Sequence, residues 1–350
     1  MPGRRWHFQH GPIDILIAAD GDPRAVAAAH DAAWARFETV LSELVAELPA
    51  LRRAIPAGAR TPDCGLAAVG ESGGRALAAG PDEDPACPVT GVIARQMWRA
   101  CRPFRSCFVT PMAAVAGAVA QHLIACYDQP GVRRAYVNNG GDIALHLAPG
   151  EHYRVGLYAN LRRFDAVAAA RADAGVATST DAEFDITHDL PVRGVATSGW
   201  RGRSFSLGIA DSVTVLARSA AQADAAATVI ANAVDVDDPR IERRAANTLQ
   251  DDTDLGDIPV TVAVPTLEPE AVRRAIDAGL ATAHALRAAG LIEACAIVCQ
   301  DQVGQVFARE AHAGGATRPS VVGGPAGAGE STESNRGADG TDDISSKEAR

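Results

Sequence analysis

Two oxygen-bearing side chains, Asp224 and Thr228, stand four residues apart in an alanine-rich run, AAQADAAATVIANA. At i and i+4 of a helix such a pair shares one face about 5–6 Å apart, so both oxygens can reach one small ion. The run has a helix start: Ser219 followed three residues on by Gln222, a capping box in which each side chain satisfies an orphan backbone N–H. Asp224 then falls in the first turns, where the helix dipole favours negative charge and where a phosphate is also welcome. Two readings stay open. The Asp is a metal ligand with Thr228, or it is an ordinary dipole-favoured residue on an alanine helix.

A second candidate is Asp142, which closes the turn Asn139-Gly140-Gly141-Asp142 between two apolar runs, 134–138 and 143–147. Asn-Gly and Gly-Gly tolerate positive φ and make hairpin turns. A plain hairpin explains them. So does a ligand seat, in which the glycines keep side chains out of the way and Asp142 serves as hydrogen-bond acceptor or base. The third candidate is Thr110-Pro111-Met112, at the start of a run rich in Ala and Gly. Thr at the N-cap and Pro at the first position open a helix. The small residues after it, Ala113 to Ala118, allow close approach of another backbone or a flat ligand. Either this is a tightly packed buried helix, or its N-terminus is offered to a phosphate.

These candidates need elements to hold them. Two strands, 4–9 and 13–19, are expected around His10-Gly11-Pro12. A long amphipathic helix follows from about Pro23, with Ala27, Trp34, Phe37, Leu41, Leu44, Val45 and Leu48 at helical spacing. Residues 56–88 read as a long connection, 88–100 as a helix, and 153–158 as a strand. The stretch 162–190 reads as irregular, its Asp181, Glu183, Asp185, His188 and Asp189 forming a solvated acidic loop rather than a metal site. A strand over 212–217 precedes the capped helix. Beyond it come an acidic loop at 247–256, a strand at 258–264, a helix at 269–288, and a hairpin of 294–299 with 305–309. Strands and helices mix without strict alternation, which favours an α+β fold. One domain is expected over 1–312. Residues 313–350, mostly Gly, Ser, Asp, Glu and Pro, cannot bury enough surface to offset their ordering entropy and are expected to be a disordered tail.

Composition narrows the function. Of 350 residues, 33 are basic and 43 acidic, a net charge of −10 that argues against nucleic acid or an anionic membrane as partner. Lys347 is the only lysine, and with so much alanine the arginines read as coding bias. The run 13–19 is too short and too flanked by Asp14 and Asp20 for a signal segment, and no stretch nears 18 apolar residues. Seven cysteines without a C-x-x-C read as reduced, mostly structural thiols, so a cytoplasmic location is expected.

Three segments in this order, VTPMAAVAGAVA (109–120), VNNGGDIAL (137–145) and VATSGW…ADAAATVIANAV (195–234), resemble the UPF0280 family of the ApbE-like superfamily. Better-known members of that superfamily are FAD:protein FMN transferases. The resemblance implies an ApbE-like domain of mixed sheets packed with helices. It places Asp224 and Thr228 as Mg²⁺ ligands beside a flavin pyrophosphate and Asp142 at the ligand, where in an enzyme it would be the catalytic acid/base or an orienting group. Asn139, Gly140, Gly141, Thr197, Ser198 and Gly199 would line the nucleotide, with Thr110, Pro111 and Met112 standing where the transferases carry a Lys-Gly segment. An oxygen pair suits hard Mg²⁺, which keeps waters and substrate phosphates in its shell.

The sequence departs from the transferases after Gly199. It lacks their His and the Ile-x-Asp-Pro-x-Thr-Gly pattern there, and it has no lysine before residue 347. Two functions follow. One is a flavin nucleotide-binding protein with Mg²⁺-dependent FAD:protein FMN transferase activity. The other is a non-transferase accessory protein of a reductase or sulfur-handling pathway that binds a small nucleotide-like ligand. Expected partners are a flavin or other nucleotide-like small molecule and a protein acceptor or reductase, with a homo-oligomer left open.

Overall fold

The computed structural model describes residues 5–56, 87–157, 182–307 and 344–348. The expected connection at 56–88 lies almost wholly outside these residues, and so does the tail expected at 313–350 apart from 344–348, which form a strand. The fold is α+β. A nine-stranded sheet carries helices on one face and a strand ribbon on the other.

The chain opens with the hairpin of β1 (Arg5–His10) and β2 (Ile13–Gly21). Along both strands buried residues alternate, Trp6 and Phe8 on one, Ile13, Ile15, Ile17 and Ala19 on the other, so one face enters the core. Helix α1 (Pro23–Ala46) crosses that face. Asp22 caps it by accepting the N–H groups of Arg24 and Ala25, both at 3.0 Å, and Pro23 needs no partner at the first position. Its buried stripe is Val26, Ala29, His30, Ala33, Phe37, Val40 and Leu44. This corrects the expected stripe: Phe37 and Leu44 are in it, Trp34 packs at its edge, and Ala27 and Val45 face out. Alanine marks the inward face here, and a count of large residues misses it.

Helix α2 (Val92–Cys101) leads to a 3₁₀ turn, Pro111–Ala114, and then α3 (Val115–Ile124). Strands β3 (Val132–Asn139) and β4 (Asp142–Leu147) form the expected hairpin, Asn139 paired with Asp142. Strand β5 (His152–Leu157) pairs with β6 (Ala182–Thr187) as a separate ribbon. The acidic stretch expected to be irregular is therefore partly strand, and Asp185 accepts from Arg154 across the ribbon at 3.1 Å. Glu183 and Asp181 are outside what is described of side chains.

Strands β7 (Gly194–Ser198) and β8 (Ser212–Ala217) come next, then helix α4 (Ala220–Ala233). Ser219 accepts the Gln222 N–H at 3.3 Å, the forward half of the capping box. A small ribbon of β9 (Glu242–Ala245) and β10 (Pro259–Ala263) precedes helix α5 (Pro269–Ala288). The last hairpin is β11 (Ala294–Cys299) with β12 (Gln302–Val306). Its turn is tighter than expected, because Gln300 and Asp301 both adopt positive φ, 44° and 67°, and close the chain in two residues.

The sheet order is β12-β11-β8-β7-β4-β3-β2-β1 and, at the edge, β13 (Ile344–Glu348), parallel to β1. Every other pair is antiparallel. Helices α1, α3, α4 and α5 lie over successive strands on one face, around Phe8, Ile15, Val137, Ala196, Val215 and Ile297. On the opposite face the ribbon of β5 and β6 covers Leu145, Leu147, Val195 and Leu216 through Tyr153, Val155 and Ile186. Among the described residues no helix is long and apolar enough to cross a membrane. Cys101, Cys295 and Cys299 are buried thiols, their pKa raised by burial.

Candidate functional site

Small residues bring α3 against α4. A Cβ on Gly117 would stand 2.3 Å from the Ala220 carbonyl oxygen and 2.8 Å from Asp224 Cβ. A Cβ on Gly194 would stand 2.3 Å from the Ala220 nitrogen, so β7 is pressed on the α4 start in the same way. This contact sets the site. With the helices this close, the Gly117 N–H donates to Asp224 Oδ2 at 2.9 Å, and the Ala116 N–H also supports that carboxylate. The orphan donors at the α3 N-terminus are thus taken by a side chain from the neighbouring helix.

That arrangement changes the expectation for residues 110–112. Thr110 makes no side-chain cap bond. It is buried, and its hydroxyl donates to Asp254 Oδ2 on the 247–256 loop. Pro111 is buried in the 3₁₀ turn, and the α-helix starts four residues later, at Val115. A 3₁₀ turn tolerates Thr-Pro as an entry and needs no N-cap side chain to fill the same donors.

Opposite Asp224 is the β3–β4 turn. Gly140 and Gly141 have φ of +67° and +112°, which a side chain rarely adopts. Asn138 Oδ1 accepts the Gly141 N–H at 2.8 Å, and Asn139 Nδ2 donates to the Ala116 carbonyl at 3.2 Å, tying the turn to α3. Asp142 Oδ1 accepts the Thr197 N–H at 3.3 Å, and the Thr197 and Thr214 hydroxyls are 2.8 Å apart.

An open cleft of about 1460 Å³ runs between these elements. Thr110, Met112, Asn139, Gly140, Gly141, Asp142, Thr197, Ser198, Gly199, Asp224 and Thr228 all line it; Pro111 does not. Three distant stretches of sequence therefore meet on one surface. Its lining also reaches Ile143, Val195 and Ala296 of the ribbon-side cluster, of which Val195 and Ala296 are buried.

The electrostatics are uneven. Arg52 is paired with Asp252, and Arg201 with Asp211 at 2.6 Å. Asp142 and Asp224 have no basic partner among the described ion pairs. Burial pushes the Asp142 carboxyl up to about 7, against the pull of the Thr197 N–H. Burial, and then the charge of Asp142, push Asp224 well above the usual carboxylate range, and the Gly117 and Ala116 N–H groups only partly offset this. Two neighbouring carboxyls that resist ionising together can share a proton, or ionise when a cation lies near. Thr228, one turn along α4 on the cleft side, adds a hydroxyl. Among the described residues no group of three or more His, Cys, Asp or Glu forms a metal cluster. The donor set is one of carboxylate and hydroxyl oxygens, suited to a hard cation that keeps waters and substrate oxygens in its shell.

Sequence reasoning missed several residues of the cleft. Asp254 and Asp252 were assigned to a plain acidic loop, and Trp200, Arg201, Arg203, Asp211 and Thr214 were not singled out. The available signal was the Trp200-Arg201-Gly202-Arg203 run directly after Thr197-Ser198-Gly199, hidden by the high arginine content of the whole chain.

Residues 1–307 match the family model described as AbpE bacteria, and the chain belongs to that family. Curated relatives include UPF0280 proteins. It is 39% identical over 160 residues to one from Methanopyrus kandleri, covering 46% of this chain and 56% of that protein. It is 37% identical over 131 residues to one from Methanospirillum hungatei, covering 37% and 47%. The chain thus spans about half the length of the curated relatives it matches. Among solved structures it is similar to the apo form of the flavinyl transferase ApbE of Pseudomonas stutzeri, with a TM-score of 0.40 and 15% identity over 87% of this chain and 94% of that one. It is also similar to the flavin transferase ApbE of Vibrio cholerae, with a TM-score of 0.32 and 12% identity over 87% and 97%.

Proposed function

We propose that the cleft binds a flavin nucleotide of the FAD kind together with Mg²⁺, and that the chain transfers FMN from FAD to a hydroxyl group of an acceptor protein. The observation that carries this reading is the pair of partly buried carboxyls without basic partners, Asp142 and Asp224, beside the Gly140–Gly141 turn. Asp224 and Thr228 would hold the ion. When bound, Mg²⁺ supplies charge neutralisation at the pyrophosphate and polarises its phosphorus–oxygen bonds.

The chain's own residues do the rest. The Gly117 N–H fixes Asp224 in one orientation. The Thr197 N–H fixes Asp142, whose carboxyl near 7 is poised to take a proton from an attacking hydroxyl at neutral pH. In the reaction an acceptor oxygen–phosphorus bond forms, the bond from that phosphorus to the AMP oxygen breaks, and the hydroxyl proton goes to Asp142.

One observation favours a second reading, an accessory protein that binds the nucleotide without transfer. No histidine lines the cleft among the described residues. Incubation with FAD and Mg²⁺, followed by mass spectrometry for released AMP and for an acceptor heavier by FMN, separates the two. AMP release supports transfer. Binding without AMP supports the accessory role. Failure to bind FAD at all would contradict both.

A further inference from the structure

We infer that Arg203 is the anion-contacting side chain of this cleft, and that it takes a phosphate oxygen of the bound nucleotide at the Gly140–Gly141 turn. The inference rests on the flavin-nucleotide reading and specifies which part of that ligand the chain grips directly.

Three arginines line the cleft, and no lysine or histidine does among the described residues. Two of the three are committed. Arg52 engages Asp252, with Nη2 at 2.9 Å from Oδ2. Arg201 donates through Nε to Asp211 Oδ1 at 2.6 Å, and its guanidinium lies over the Trp200 ring at 4.5 Å. Arg203 has no carboxylate partner among the described ion pairs. Its one described bond is a long one, 3.4 Å from Nη2 to the Pro12 carbonyl. A guanidinium carries five donors in a planar fork, so most of its capacity is open to a ligand.

Its position is specific. A Cβ placed on Gly140 would be 3.4 Å from Arg203 Nη1, so the guanidinium stands directly beside the glycine turn. A Cβ on Gly141 would meet nothing within 4 Å, which leaves room there for a ligand atom. The turn's own amide at Gly141 is already given to Asn138. That amide is therefore not free for an anion at this turn, whereas the Arg203 guanidinium beside it is. The segment leading to Arg203 is held in place: the Trp200 N–H donates to the Ala210 carbonyl and the Gly202 N–H to the Gly199 carbonyl, both at 3.0 Å. Asp211 fixes Arg201 and also accepts the Gln300 N–H at 2.6 Å.

The charge balance points the same way. Asp142 and Asp224 repel a polyanion, and Arg203 is the one uncommitted positive side chain the described cleft sets against them. It therefore selects for ligands that carry phosphate over the same ring system without it. Planar guanidinium–phosphate pairs combine geometric fit with charge-assisted hydrogen bonds.

The test measures FAD, FMN and riboflavin binding by calorimetry, in EDTA and in Mg²⁺, for the wild type, Arg203→Ala and Arg203→Lys, with thermal midpoints alongside. Arg203→Ala is expected to weaken FAD and FMN by ~10-fold or more, the scale of one lost charge-assisted bond. Riboflavin affinity and the thermal midpoint should not move, and Arg203→Lys should recover part of the loss. An equal effect on riboflavin, or none on FAD, would overturn the assignment while leaving the flavin reading intact. If the wild type binds no flavin, inorganic pyrophosphate is the remaining probe. Arg203-dependent thermal stabilisation by pyrophosphate keeps the anion role without the flavin. No stabilisation overturns both.

Discussion

The two halves of the helical layer are built by opposite means. Under α1 the core is aromatic: Phe8 meets Trp34 edge-on at 4.9 Å and Phe37 at 5.3 Å, and Trp6 stacks on His30 at 4.2 Å. Between α3 and α4 the contact is made by Gly117, Ala220, Ala221 and their alanine neighbours, with backbone against backbone. Large rings fill volume and hold the elements apart, which gives stability and leaves no room for chemistry. Small residues let one helix's N-terminal amides reach the next helix's carboxylate. The second region buries less per residue, yet it is where a charge can be held partly out of water beside an open cleft.

Substitutions can break this contrast from either side. Phe37→Ala removes a fully buried ring and should lower stability by about 3–5 kcal/mol in denaturant unfolding, while the folded fraction keeps its ligand affinity. A loss of affinity at constant stability would mean that the aromatic half is part of the site. Gly117→Val overpacks the seam and should lower stability by roughly 1–3 kcal/mol. Here ligand binding should fail even in folded protein, because Asp224 is displaced from its amide partner. Retained Mg²⁺-dependent binding in that variant would separate the seam from the site.

A pH experiment sharpens the contrast without steric change. The carboxyls of Asp142 and Asp224 have folded pKa values above their unfolded ones, Asp142 up to about 7. The folded state then holds more protons, so this contribution to stability is present below about pH 4 and is lost as pH rises towards 7. In EDTA, the wild-type melting temperature should fall between pH 5 and 8 more than that of Asp224→Asn. A difference of about 1 kcal/mol corresponds to roughly 2–4 °C in a chain of this size. Identical slopes would show that the pair carries no such cost. The smallest effect belongs to the rim: Thr110→Val removes the bond to Asp254 and should cost about 1 kcal/mol, with folding otherwise intact by circular dichroism.

Much of the frame was legible in the sequence because it rests on local rules. The strand at 13–19, the start of α1 near Pro23, the Ser219 cap and the Gly140–Gly141 hairpin turn each follow from residues close in the chain. The meeting of Asp142 with Asp224 was not legible from spacing, since 82 residues separate them and only the sheet order brings them together. The role of Thr110 was misjudged for a related reason. Its partner, Asp254, lies 144 residues away, and a long-range acceptor displaced the local capping bond. Arg203 was passed over because arginine is the chain's default cation. Only its lack of an ion-pair partner, visible once the cleft is assembled, distinguishes it from Arg52 and Arg201.

The central claim, that the α3–α4 seam creates a cation-dependent nucleotide site at Asp224, is tested most directly by one calorimetric measurement. FAD is titrated into wild-type protein and into Asp224→Asn, each with Mg²⁺ and with EDTA. The account predicts that Mg²⁺ tightens FAD binding to the wild type by ~10-fold or more, the scale of one strong charged contact, and leaves the variant unchanged. Binding that ignores Mg²⁺ in the wild type, or responds to it equally in Asp224→Asn, would contradict the account.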